Sequence, residues 1–275
     1  MGAAQASTGQ QFGDVAVAVG EDHVAVAEIG RPPDNYFDAG LIGALADAYE
    51  WAGAEAGARA ILLCSAGKHF CAGADFTGRS RPVGPAAATA PGNVPGVAGD
   101  LYAQAARLYR ARLPVVAAVQ GAAIGGGLGL ACSADFRVAS PAARFAANFA
   151  RIGLHHGFGL TVTLPAIVGQ QAANLMLYTG RRIRGDEAAR IGLADLLTEP
   201  GDLRTVAHGL AAEIAAAAPL AVRAIRATQR AGLAEQVTAA MAAELAEQDQ
   251  LRRTADFAEG VRATAERRAA RFTGQ

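Results

Sequence analysis

Short apolar segments rich in β-branched residues alternate along this chain with longer alanine-rich segments. Four of the short segments end in turn residues and predict strands at 23–30, 58–66, 113–121 and 136–140. Two of the longer segments, 38–57 and 99–112, carry apolar residues three and four apart, which predicts amphipathic helices. Strands that alternate with helices are typical of an α/β fold.

The same pattern divides the chain into three parts. Residues 1–14 predict a flexible N-terminal tail, residues 15–215 carry the strands and helices of the core, and residues 216–275 show helical periodicity alone. We expect the last part to be a packing or oligomerisation region. Residues 77–98 contain four prolines and lack periodicity, which predicts a long surface loop that is either a lid or a tolerated insertion.

Composition favours work on a small molecule. The chain has 25 acidic and 25 basic residues, so no global charge attracts nucleic acid or an anionic membrane. No segment has the pattern of a signal peptide or of a membrane span. The three cysteines are not spaced as in a zinc or redox site. We therefore expect a cytoplasmic protein that binds no nucleic acid, membrane or metal.

Residues 124–131, IGGGLGLA, place three glycines between a predicted strand and a predicted helix. The spacing is not that of a dinucleotide-binding turn or a P-loop, and no serine lies in a nucleophile elbow. The first N–H groups of a helix have no partner within it and can stabilise a negative oxygen. GKHFCAGADF at 67–76 is a second turn after a strand, where another donor can lie. Together the two turns predict an oxyanion hole.

KHFCAGADF, followed downstream by AAVQGAAIGGGLGLACSADFRVAS, resembles the crotonase superfamily, also called the enoyl-CoA hydratase/isomerase family. The similarity continues through ARFAANFARIGLHHGFG to the ending DFAEGVRATAERRAARF, so it covers most of residues 15–272. The resemblance implies a crotonase-like α/β spiral of ββα units whose C-terminal helices pack homotrimers, often paired into hexamers. It also implies that the chain binds an acyl-CoA thioester, with coenzyme A as part of the substrate and no prosthetic group.

The resemblance also assigns roles to single residues. By position in the two motifs, the backbone N–H groups of Ala74 and Gly126 bind the thioester oxygen. The alternative for Gly126 is a glycine that only packs a helix against a strand. The resemblance also implies four residues that contact coenzyme A: Lys68, Ala72, Arg267 and Arg268. The two arginines would reach it across a subunit boundary, and the alternative is that they lie on a solvated helix face.

The chain departs from the family at two catalytic positions. Hydratases of the family use two glutamates, and the resemblance places them where this chain has Gly129 and Phe149. Neither residue can transfer a proton. His155 and His156 follow closely and are candidates for the acid or base, because imidazole titrates near neutral pH. Alternatively, one histidine caps the helix that begins near Leu160 and the other packs.

Other residues near the motifs have mainly structural interpretations. Asp75 is expected to hold its turn, with catalysis as the alternative. Cys71 is expected to be a small packed residue rather than a nucleophile. Asp135 is expected to be structural, and Phe145 and Phe158 suggest a more apolar acyl pocket than a hydratase needs.

Two functions remain open at this point. The first is an atypical acyl-CoA lyase, isomerase or hydrolase that uses His155 or His156 for proton transfer. The second is a degenerate crotonase that binds or carries acyl-CoA without converting it.

Overall fold

A seven-stranded sheet organises the fold of this chain, whose computed structural model describes residues 8–74 and 97–275. The described strands are β1 (Thr8–Phe12), β2 (Val15–Val19), β3 (Val24–Ile29), β4 (Ala60–Ser65), β5 (Val115–Val119), β6 (Ala122–Ile124), β7 (Phe136–Ala139), β8 (Arg144–Ala146), β9 (Ile183–Arg184) and β10 (Leu196–Leu197). The main sheet has the order β1-β2-β3-β4-β5-β7-β10, antiparallel from β1 to β3 and parallel from β3 onward. Strands β6, β8 and β9 form a smaller second sheet.

Helices connect the parallel strands and form the C-terminal region. The described α-helices are α1 (Ala39–Ala54), α2 (Val97–Tyr109), α3 (Gly126–Ser133), α4 (Leu160–Val168), α5 (Gln170–Thr179), α6 (Gly185–Arg190), α7 (Leu203–Ala216), α8 (Pro219–Gln229), α9 (Leu233–Leu251) and α10 (Ala255–Glu266). Short 3-10 helices lie at Asn148–Ile152 and Pro200–Asp202. Within the described ranges no single helix has the length and apolar character to span a membrane; one bent pair, Pro200–Ala216 with Pro219–Gln229, meets the test of length and composition.

Helices cover both faces of the main sheet. Side chains alternate between the faces along each strand. In β4, Ile61 and Leu63 pack in one core with α1 and α2, whereas Leu62 and Cys64 pack in a second core with α7. Burial on both faces explains why this strand reads as a continuous apolar run.

The predicted α/β class is confirmed, and β3, β4, β5 and β7 lie within the predicted strand segments. The predicted helical region from residue 216 contains α8, α9 and α10, whereas residues 267–275 form no helix or strand. The predicted flexible tail is wrong for residues 8–12, because they form β1 and pair with β2. Most of the predicted loop at 77–98 lies outside the described residues, and residues 97 and 98 begin α2.

One carboxylate ties the C-terminal helices to the core. Asp135 follows α3, and its Oδ2 accepts hydrogen bonds from Val115 N (2.8 Å) and from Arg226 Nε of α8 (2.9 Å). Its Oδ1 accepts from Arg230 Nη1 at 2.7 Å. Asp135 is therefore structural, as predicted.

Candidate active site

The two glycine-containing motifs meet at one edge of the main sheet. Neighbouring strands β4 and β5 are parallel, so the segments that follow them leave the sheet at the same edge. Backbone hydrogen bonds then join these segments: Phe70 N donates to Gln120 O at 2.8 Å, and Cys71 N donates to Ala122 O at 2.9 Å. Ile124 N donates back to Cys71 O at 3.0 Å. This ladder holds the two predicted turns side by side.

The ladder brings the predicted donors Ala74 and Gly126 to adjacent backbone segments. Ala74 forms a bridge with Phe37, whose N–H donates to Gly73 O at 3.0 Å. Gly126 is the first residue of α3, and a Cβ atom on Gly73 would lie 3.7 Å from its backbone nitrogen. Among the described residues, neither the Ala74 N–H nor the Gly126 N–H donates to a backbone oxygen. An N–H at the start of a helix also carries the positive end of the helix dipole.

The glycines of this turn are needed for conformation and for close packing. Gly125 has φ +58°, in the left-handed region that favours glycine. A Cβ atom on Gly126 would lie 2.3 Å from Phe37 Cζ, and one on Gly127 would lie 2.1 Å from Cys71 O. The alternative role for Gly126 was to pack a helix closely against a strand. Gly126 does pack closely against a neighbour, but that neighbour is the ring of Phe37.

Aromatic side chains fill the space around Gly129. A Cβ atom on Gly129 would lie 2.5 Å from Phe158 Cβ. Phe158 is 1% exposed, has φ +62°, and its ring centroid lies 5.5 Å from that of Phe37. Phe149 is also buried, and its Cζ lies 3.6 Å from the position that a Cβ on Gly125 would take. Apolar rings therefore occupy both places where the resemblance puts an acid.

His155 and His156 form a stacked pair with ring centroids 4.1 Å apart. His155 Nδ1 lies 2.7 Å from the carbonyl oxygen of His156, and His156 Nε2 lies 2.9 Å from Thr161 Oγ1. Burial, and secondarily the neighbouring His155, lowers the pKa of His156 to about 4. The alternative that a histidine caps α4 is wrong, because the N-cap is Gly159 and the backbone N–H groups of Gly159 and Thr161 donate to a glutamate.

The start of α4 is instead bound by Glu244, a residue that the sequence did not reveal. Its Oε2 accepts from Gly159 N at 2.9 Å, and its Oε1 accepts from Thr161 N at 3.0 Å and from Thr161 Oγ1 at 2.6 Å. Glu244 is only 1% exposed. The one available signal was a glutamate on the same face of α9 as the buried Val237 and Met241.

The coenzyme A candidates at the first motif are accessible only in part. Lys68 is exposed. The Ala72 N–H already donates to Asp34 O at 2.9 Å. A ligand beside Ala72 would therefore have to use another backbone group.

The two C-terminal arginines differ in their partners. Arg268 donates from Nη2 to Glu259 at 2.9 Å and from Nε to Glu266 at 2.6 Å. Its guanidinium is therefore engaged within its own chain. Arg267 is exposed and ends α10 with a left-handed φ of +55°.

The cysteines are packed rather than reactive. Cys71 is fully buried, and burial raises the pKa of its thiol to about 12. A protonated, inaccessible thiol agrees with the packing role predicted for it.

Asp75 lies outside the described residues. Within the described part of the chain, no three His, Cys, Asp or Glu side chains are grouped so that they could hold a metal ion.

Comparison with known proteins decides the family. The family model described as enoyl-CoA hydratase/isomerase matches residues 20–275. The chain belongs to this family. It is 33% identical to YngF of Bacillus subtilis strain 168, named as an enoyl-CoA hydratase/isomerase, over 93% of this chain and 96% of the relative. It is 36% identical to the short-chain-enoyl-CoA hydratase of Clostridium acetobutylicum over 67% of this chain and 69% of that protein.

Solved structures agree with this membership. The enoyl-CoA hydratase/isomerase of Pseudoalteromonas atlantica T6c superimposes with a TM-score of 0.81 at 30% identity, covering 94% of this chain and all (100%) of the other. The predicted crotonase fold is therefore confirmed. As a member of the enoyl-CoA hydratase/isomerase family, the chain is an acyl-CoA-binding protein of the crotonase superfamily.

Proposed function

We propose that this crotonase-family chain polarises the carbonyl of an acyl-CoA thioester with the N–H groups of Ala74 and Gly126. The observation that carries the proposal is a pair of N–H groups that donate to no backbone oxygen of the described residues and are held on adjacent segments beside the start of α3. Such donors stabilise the negative oxygen of an enolate, and losing one typically costs about 10²- to 10³-fold in rate. The nucleotide of coenzyme A lies near Lys68 and Ala72, and the molecule works in the cytoplasm as a homotrimer or hexamer.

The same proposal assigns proton transfer to the histidine pair. A carbonyl oxygen only accepts, so His155 Nδ1 carries the proton in its 2.7 Å contact with His156 O. In the neutral ring, His155 Nε2 then keeps a lone pair. The lowered pKa of His156 keeps the His156 ring neutral at pH 7. Either imidazole can accept an α-proton from the polarised thioester, which is the first step of an atypical isomerase or lyase reaction.

Exchange of the α-protons of butanoyl-CoA in D₂O, followed by mass spectrometry, tests this function without presupposing the final product. We expect exchange that depends on the wild-type protein and falls about 10²-fold or more in a His155→Gln/His156→Gln variant. His208→Gln, on α7 beside Asp22, is the matched control. Equal exchange by wild type and the double variant would contradict the assignment of proton transfer to these residues.

A non-catalytic acyl-CoA carrier is the second candidate. It is favoured by the packing of Phe158 against Gly129 and by the buried Phe149, which leave apolar rings where hydratases of the family use acids. Calorimetry with butanoyl-CoA separates the two candidates. Binding without any protein-dependent α-proton exchange, and without hydration of crotonyl-CoA, would favour the carrier.

A further inference from the structure

A buried carboxylate of α9 is connected to the histidine pair through one hydroxyl group. Thr161 Oγ1 donates to Glu244 Oε1 at 2.6 Å, and His156 Nε2 lies 2.9 Å from the same Thr161 oxygen. Glu244 is 1% exposed, and it lies 83 residues after Thr161 in the chain. The three side chains form a hydrogen-bonded chain from a buried charge to an imidazole.

The directions of these hydrogen bonds follow from the groups involved. Glu244 has three partners, and all of them are N–H or O–H donors, as an ionised carboxylate requires. Thr161 has a single hydroxyl hydrogen, which is given to Glu244. Its oxygen can therefore only accept from His156, so the ring proton of His156 lies on Nε2. In the neutral ring, Nδ1 is left with the lone pair.

The backbone of the histidine loop is held independently of Thr161. Gln248, one turn after Glu244 on α9, donates from Nε2 to the carbonyl oxygens of His155 (3.0 Å) and His156 (3.3 Å). Tyr102 of α2 donates to Gln248 Oε1 at 3.2 Å. Thr161 itself is exposed. Loss of its hydroxyl therefore removes the connection without removing the support of the loop.

We propose that Glu244 is a positioning residue that acts through Thr161 to hold His156 as its Nε2–H tautomer, with Nδ1 as the proton-accepting nitrogen. A fixed tautomer matters because a base must offer its lone pair before the substrate arrives. The catalytic consequence rests on the proposed function. The tautomer is a property of the protein alone.

The tautomer is read from the ¹⁵N chemical shifts of histidine side chains in the labelled full-length protein. In wild type we expect His156 to show one protonated and one unprotonated nitrogen, with the proton on Nε2. In Thr161→Val these shifts are expected to move towards values averaged over both tautomers, and in Thr161→Ser they are expected to return. Thr163→Val is the matched control, because that hydroxyl of the same helix donates to Gly159 O at 3.0 Å and does not contact the histidines.

Unchanged His156 shifts in Thr161→Val would overturn the inference, and would leave Glu244 as a helix cap only. The second measurement is the α-proton exchange of butanoyl-CoA, which we expect to slow by up to about tenfold in Thr161→Val with an unchanged KM and to recover in Thr161→Ser. Loss of the tautomer with undiminished exchange would also overturn the positioning role. Absence of exchange in wild type would overturn the proposed function instead, and the ¹⁵N shifts would still decide the assignment of Glu244.

Discussion

Gly129 and Phe158 occupy one space between them. Phe158 has an unfavourable positive φ, yet it is buried and its carbonyl accepts from Tyr109 Oη at 3.1 Å. Because a Cβ on Gly129 would lie 2.5 Å from Phe158 Cβ, the side chain of one position excludes that of the other. At the scale of single residues, the size of the side chain that position 129 can hold is thus limited by Phe158, which lies later in the chain.

Substitution of Gly129 is therefore expected to be costly only while Phe158 is present. Gly129→Ala should lower the free energy of unfolding by about 1–3 kcal/mol through overpacking. In a Phe158→Gly background, which removes the Cβ that an alanine at 129 would meet, the same change should be neutral or stabilising, because alanine favours a helix by up to about 1 kcal/mol over glycine. Urea unfolding of the four proteins measures this coupling.

Gly209→Ala is the matched control for the change at position 129. Gly209 lies in α7 with no atom within 4 Å of an added Cβ, so alanine there should stabilise the protein. Equal effects of Gly129→Ala in both backgrounds would show that Phe158 is not the cause.

The lowered pKa of His156 gives stability a pH dependence of definite sign. An unfolded histidine titrates near 6.5, and His156 in the fold near 4, so the unfolded state binds more protons between these values. The free energy of unfolding should therefore fall as pH falls from about 6.5 to about 4. His69, whose pKa burial also lowers, acts in the same direction.

Urea unfolding at a series of pH values measures this effect. His156→Gln should make the decline between pH 6.5 and 4 shallower than in wild type. The partly exposed His208→Gln is the control variant. A decline as steep in His156→Gln as in wild type would show that other groups cause it.

At the scale of elements, the beginning of α4 depends on a distant helix. Glu244→Ala would leave the N–H groups of Gly159 and Thr161 without their acceptor, which should lower the free energy of unfolding by about 2–4 kcal/mol. Glu247→Ala, three residues later on the exposed face of α9, should change it by less than about 0.5 kcal/mol. Urea unfolding compares the two variants. A similar small loss in both would show that the carboxylate does not stabilise α4.

At the scale of the whole molecule, Asp135 joins the α/β core to the C-terminal helices. Its carboxylate pairs with Arg226 and Arg230, whose side chains are 9% and 14% exposed. Asp135→Asn would leave two mostly buried guanidinium groups without a charge partner, which should cost about 3–5 kcal/mol. Hydrogen exchange should then increase first in α8, none of whose residues is fully buried in the core.

The exposed pair of Asp186 with Arg184 provides the control for this prediction, since both side chains are 59% exposed. Asp186→Asn should leave the exchange of α8 unchanged. Protection of α8 that is equal in Asp135→Asn and wild type would mean that other contacts hold the C-terminal helices.

The sequence predicted most of the core because its signals there are local. The strand at 60–65 is an apolar run, and α1 has helical periodicity and an N-cap, Asp38, that accepts from Leu41 N at 2.8 Å. Strand β1 was missed because it is polar and exposed, and it is a strand only through pairing with β2. Glu244 was missed because its partners lie in another helix.

By itself, the sequence determined the α/β class, the family and the backbone segments that hold Ala74 and Gly126. Periodicity and glycine motifs depend only on residues that are close together in the chain. Only the tertiary structure decided which N–H groups donate to no backbone oxygen of the described residues, which ring fills the space beside Gly129, and which carboxylate binds the start of α4. The physical reason is that packing and hydrogen bonding depend on distances between residues that are remote in the chain. Such distances exist only after the elements have come together.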